Sequence, residues 1–210
     1  REVLGFGVYA NESKETWKSF IRDLKARGLR NVLMITSDAH EGLCDAISKE
    51  FPQAAWQRCQ FHFSKNIAEK APKKYQAGIR SELSEMFNCA TIEEARRKRD
   101  SIIADYQDVA ESAMTCLDEG FESSMTAMIL PKYLRQYFRT SNHIERINRE
   151  LKRRSKVIGV FPNEASILRL MGSVLMELND AAQARKALFS PKTYNNLMSA
   201  EVKSKLIILA

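Results

Sequence analysis

Within the first sixty residues, short apolar runs alternate with amphipathic stretches, and this alternation restricts the fold more than any other feature of the chain. VLGFGVYA (residues 3–10) has strand composition, weakened by two glycines. Ser13 can cap a helix whose apolar positions Trp17, Phe20, Ile21 and Leu24 fall on one face, and Gly28 stands where a left-handed C-terminal cap belongs. NVLMIT (31–36) is a nearly continuous apolar run, the pattern of a strand buried on both faces. A helix over about 40–50 turns Leu43, Ala46 and Ile47 inward and stops at Pro52; a second strand over about 54–59 leads into another helix. Strands separated by helices need crossover connections, so the reading is an α/β fold with a partly parallel sheet.

From Pro72 the pattern changes. Tyr75, Ile79, Leu83 and Met86 mark one helical face, and Thr91 with Glu94 forms a capping box that opens a long charged helix running to about Leu117. No strand signal occurs between Ala71 and Leu130, which predicts an all-helical insertion. Two more helices follow, one over 142–154 and one after Pro162-Asn163 carrying Leu168, Met171, Val174, Leu175 and Leu178.

Charge is unevenly placed. Nine basic and two acidic residues lie between Lys132 and Lys156, a surplus equal to the net +7 of the whole chain, so everything outside that stretch is balanced. One concentrated basic segment in an otherwise neutral chain points to a polyanion more than to a solvated helix face. Cys44, Cys59, Cys89 and Cys116 form no CxxC pair, which favours reduced thiols and a cytoplasmic setting over a disulfide framework. There is no membrane-length apolar run and no secretory signal pattern. The chain opens on Arg1 and strand-like residues, so it is expected to start inside a fold.

Three constellations could carry chemistry. Asp38 ends the 31–36 run, where side chains point into the ligand crevice of a parallel sheet; a helix N-cap is the competing role. Glu145 lies in TSNHIERINRELKRR, with Ile144, Ile147 and Leu151 as the buried stripe and Arg146, Arg149, Lys152, Arg153 and Arg154 crowded after it. Asn142-x-x-Glu145 also reads as a capping box, which explains the glutamate but not the cations. Cys59-x-x-His62 has the spacing of half a zinc site; the other histidines, His40 and His143, supply no second pair, so a structural role at a strand-to-helix turn is expected.

Three strings together resemble the Mutator-type transposases of bacterial insertion sequences: ITSDAHEGL around Asp38, FPQAAWQRCQFHFSKNI around Cys59 and His62, and RTSNHIERINRELKRRSKVIGVFPNEASILRL around Glu145. The resemblance implies a ribonuclease H-like α/β fold with an α-helical insertion, truncated at its N-terminus so that the first two strands are missing. It divides the chain into a partial core at 1–71, the insertion at 72–139, the C-terminal catalytic and basic helices at 140–190, and a tail at 191–210. Asp38 matches the family's second catalytic aspartate and Glu145 its glutamate, both as metal ligands; the first aspartate has no match here. Asn142, Arg146, Arg149, Lys152, Arg153 and Arg154 would bind DNA, and Cys59 and His62 match a recurring family motif to which no role is assigned.

The implied activity is cutting of element ends and joining of the 3′-OH to target DNA, with two Mg²⁺ (or Mn²⁺) ions activating the nucleophile and stabilising the leaving oxygen. This chain alone would be inactive. Implied partners are terminal repeats, target DNA and further copies of the chain in a homo-oligomer, with no membrane, in the bacterial cytoplasm and on the nucleoid when bound. The alternatives are an inactive DNA-binding remnant and a ribonuclease H-like nuclease or resolvase, which metal titration and a strand-transfer assay separate.

Overall fold

The computed structural model describes residues 2–185 and 187–199, with 202, 204 and 206. The elements are α1 (Lys14–Ala26), β1 (Met34–Ser37), α2 (Glu41–Glu50), β2 (Ala55–Arg58), α3 (Gln60–Glu69), α4 (Lys73–Phe87), α5 (Ile92–Ser124), a 3₁₀ turn (Thr126–Ile129), α6 (Lys132–Phe138), α7 (Asn142–Ile158), α8 (Glu164–Gln183) and α9 (Pro191–Leu197). They fall into two compact units. One comprises Arg1–Val32, His40–Pro52 and Asn142–Ala200; the other comprises Leu33–Ala39, Gln53–Ser141 and Glu201–Ala210.

In the first unit, local signals act as the sequence predicts. Ser13 and Thr16 close a reciprocal capping box on α1. At its other end Gly28, at φ +104°, donates to Lys25 O while Leu29 donates to Leu24 O, the paired bonds of a left-handed helix cap. Helix α2 approaches the start of α1 so closely that a Cβ on Gly42 would lie 3.0 Å from the Lys14 nitrogen. Ion pairs hold the two together: Lys14 stands 2.8 Å from Asp45, and Arg22 stands 2.7 Å from Glu50.

Residues 3–10, read as a strand, are irregular. Strand composition needs a ladder partner, and among the described residues the only strands are β1 and β2, which pair with each other. The segment's polar groups bond to helices instead. The Val3 N–H donates to Asn179 Oδ1, and the Leu4 carbonyl accepts from Arg27 Nη1.

The second unit holds the sheet and the helical stretch. β1 and β2 pair in parallel, Met34 opposite Ala55 through Ser37 opposite Arg58, joined in sequence by α2 as the alternation required. The first strand starts three residues later than the apolar run and is only half-buried up to Ser37, so burial on both faces does not hold. Its core is helical: Phe63 and Ile67 of α3, Ile79, Leu83 and Met86 of α4, and Ile102, Met114, Leu117 and Phe121 of α5 are all essentially inaccessible. Each such side chain contributes about 1.5–3 kcal/mol. Helix α5 continues past Leu117 to Ser124 and carries a non-helical residue at Ala110. Packing carries it through Gly120, where any Cβ would collide with Phe63 and Arg58.

Candidate functional site

Asp38 follows β1 directly and is exposed at the C-terminal end of the two-stranded parallel sheet. The end of the strand is pinned from three sides. The Trp56 indole donates to Ser37 Oγ at 2.9 Å, that hydroxyl donates to the Asp38 carbonyl at 2.7 Å, and the Cys59 N–H donates to the Ser37 carbonyl at 2.7 Å. The N-cap of α2 is His40, two residues further on, so Asp38 does not occupy the capping position that competed with its functional role.

The segment ahead of α7 is stitched to the same strand ends. Thr36 Oγ1 donates to the Phe138 carbonyl at 2.6 Å, and the Gln60 N–H donates to the Arg139 carbonyl at 3.0 Å. Cys59, fully buried at the start of α3, accepts at Sγ from the Ser141 hydroxyl at 3.2 Å and its N–H at 3.4 Å. Both bonds tie the thiol to Ser141, the residue that leads into α7. His62 lies one turn further along α3, its ring edge-on to Phe61 at 5.5 Å.

Glu145 is half-buried in the first turn of α7, where the helix dipole favours a carboxylate. Helix α7 begins at Asn142, an exposed residue, so the asparagine read as its cap is its first helical residue. The buried stripe also fails, since α7 has no buried residue and Ile144 is 57% exposed. A strongly two-sided sequence makes this helix without burying it deeply.

The basic run divides into groups with different tasks. Arg135 reaches the carbonyls of Leu130 and Ala90, and Arg139 that of Phe87, so both staple loops in the second unit. Arg153 grips Glu150 through two bonds of 2.6 and 2.8 Å, and Arg154 adds a third at 2.8 Å. Those two guanidiniums, Arg153 first, hold the Glu150 carboxyl down at about 2. Arg146, Arg149 and Lys152 are exposed and have no carboxylate partner among the described residues. Between α7 and the far end of α8 runs a cleft of ≈ 380 Å³, lined by Arg146, Arg149, Arg153 and also Arg185, with Ile147 and Leu178 among its apolar walls.

Arg185 was not anticipated from the basic run, which ends at Lys156. Its signal lay in the spacing at the end of α8, where Leu178 and Ala182 line the cleft and Arg185, two residues past the helix, continues the same spacing. Among the described residues, no helix is long and apolar enough to cross a membrane.

A family model described as "Transposase, Mutator family" matches residues 1–184. The transposase for insertion sequence element IS256 in transposon Tn4001 of Staphylococcus aureus is 39% identical over 198 residues, covering 93% of this chain and 49% of that protein. The transposase for insertion sequence element IS1081 of Mycobacterium tuberculosis is 37% identical, covering 86% of this chain and 43% of that protein. The ISRM5 transposase of Rhizobium meliloti is 32% identical over 86% of the chain. The chain spans about half the length of the curated relatives it matches.

Proposed function

The chain belongs to the Mutator family of transposases, and from that premise we propose that it acts in moving an insertion sequence, with Asp38 and Glu145 as carboxylates of a two-metal centre that cuts element ends and joins the 3′-OH to target DNA. The observation that carries the reading is the setting of Asp38. It is an exposed carboxylate just past the C-terminal end of a parallel strand whose last residue is held by Trp56 and Cys59, and the N-cap position of the next helix falls on His40. A ribonuclease H-like core interrupted by helices is the fold that goes with this reading. The parallel β1–β2 pair and the long helical stretch before α7 support it.

The donor chemistry suits a hard cation. Asp38 and Glu145 offer carboxylate oxygens, which Mg²⁺ and Mn²⁺ accept, whereas the Cys59 sulfur is engaged by Ser141. Bound there, such ions would activate a nucleophile and stabilise the leaving oxygen at neutral pH. The family's first aspartate has no match in these residues, so the 210 residues alone are expected not to nick DNA. Arg146, Arg149 and Lys152 neutralise phosphates next to Glu145 in sequence and position the strand without reading bases.

The test uses the full-length transposase. Asp38→Asn and Glu145→Gln should each abolish Mg²⁺-dependent cleavage of an element end while leaving DNA affinity within about twofold. Cleavage surviving either change would remove that residue from the centre. Loss of affinity alone would assign Glu145 to holding α7.

A further inference from the structure

We propose that the cleft between α7 and the end of α8 seats a backbone phosphate of DNA, received by Arg146, Arg149 and Arg185, with the sugar against Ile147 and Leu178. The inference rests on the DNA-handling role proposed above and adds a defined seat and a residue from outside the basic run.

Convergence is the first argument. Arg146 and Arg149 project from successive turns of α7, whereas Arg185 comes from the residues after α8, 36 positions further along the chain than Arg149. A solvated helix face explains a row of cations on one helix. It does not explain cations from two segments lining one concavity. Guanidiniums facing a common space repel one another, and a phosphate between them removes that cost.

Availability is the second argument. Among the described residues, none of the three guanidiniums has a carboxylate partner, so their donors are free to turn to an incoming anion. Arg153, on the same cleft, is different: Glu150 holds it by two bonds. Of the two carboxylates in the lining, Glu150 is thus already neutralised, and Glu2 is the other. Four guanidiniums against two carboxylates leave the cleft cationic.

Shape is the third. At ≈ 380 Å³ the space exceeds what a phosphate alone needs and falls within the range of small-molecule pockets. Ile147, Leu178, Ala181 and Ala182 give it an apolar wall, which suits a deoxyribose carried beside the phosphate and would be wasted on a free anion.

The experiment is fluorescence anisotropy of the full chain with a labelled DNA duplex over a series of salt concentrations. Arg185→Ala should weaken binding about fivefold at low salt and lower the slope of log affinity against log salt by about one, the signature of one lost phosphate contact. Arg185→Lys should recover most of the slope. Arg169→Ala, an exposed cation on α8 outside the cleft, should change neither. Arg185 makes no side-chain hydrogen bond among the described residues, so the melting temperature should hold, and the effect cannot be assigned to unfolding. Equal slopes for Arg185→Ala and Arg169→Ala would overturn the cleft while leaving the catalytic reading intact. A wild-type chain with no salt-dependent binding would overturn both. Cleavage by Asp38→Asn would sink the catalytic reading alone.

Discussion

Helices α5 and α7 are both rich in charge, yet they use it in opposite ways. On α5, Arg96 pairs with Glu122, Lys98 with Glu82 and Glu85, and Arg99 with Asp100 and Asp118, while the other face buries Ile102, Met114, Leu117 and Phe121. On α7, no residue is buried and Arg146, Arg149 and Lys152 have no acidic partner among the described residues. A helix that closes its ion pairs and fills a core belongs to the scaffold. One that leaves cations unmatched and its apolar side half-open has its energy reserved for something outside the chain.

The largest expected effect separates the two helices by stability. Phe121→Ala removes an inaccessible ring of the helical core, over which the Arg99 guanidinium sits at 4.8 Å. It should cost about 3–5 kcal/mol in chemical denaturation. Ile144→Ala on α7, at 57% exposure, should cost less than about 0.5 kcal/mol. Similar losses at the two sites would mean that α7 is part of the core and would break the comparison.

A smaller effect separates them by DNA affinity. Alanine at Arg146, Arg149 and Lys152 together should lower the salt slope by about two to three and weaken all sequences alike. Alanine at Arg96, Lys98 and Arg99 should leave the slope unchanged, because those cations are already matched. Arg153→Ala with Arg154→Ala should fall between, since both must leave Glu150 to meet a phosphate. Glu150→Gln should therefore raise affinity. A fall would show that Glu150 is needed to hold the arginines in their binding positions.

Features set by neighbours in sequence were legible before the structure: the Ser13 and Thr91 caps, the helix start after Pro162-Asn163, the Gly28 terminus, the crossover and the position of Asp38 at a strand end. Features set by distant partners were not. Residues 3–10 have strand composition but no strand beside them among the described residues, and a ladder cannot be read from one member. Arg135 and Arg139 counted toward a polyanion footprint until the carbonyls of residues 87–90 proved to be their acceptors. Ile144 looked buried because spacing reveals which face is apolar, not whether anything covers it. Arg185 stood apart from the basic run and joins it only through the packing of α8 on α7.

The smallest effect concerns acid. Asp45 on α2 and Glu150 on α7 are both held at about 2, Asp45 by Lys14 and then Lys49, Glu150 by Arg153 and then Arg154. A carboxyl held below its unfolded value stabilises the fold fully above that unfolded value, near 4, and loses the contribution as pH falls through about 2. Both groups keep about a quarter of their side-chain surface in water, 28% and 26%, so screening keeps each contribution small. Their consequences still differ. Asp45 joins α2 to α1, whereas Glu150 pairs with Arg153 and Arg154 on its own helix and reaches no further. Asp45→Asn should therefore flatten the fall in melting temperature between pH 4 and pH 2, and Glu150→Gln should leave that limb nearly as steep. High salt should shrink the difference. A steeper response to Glu150→Gln would place α7 among the elements that hold the fold together, on the same side of the comparison as α5.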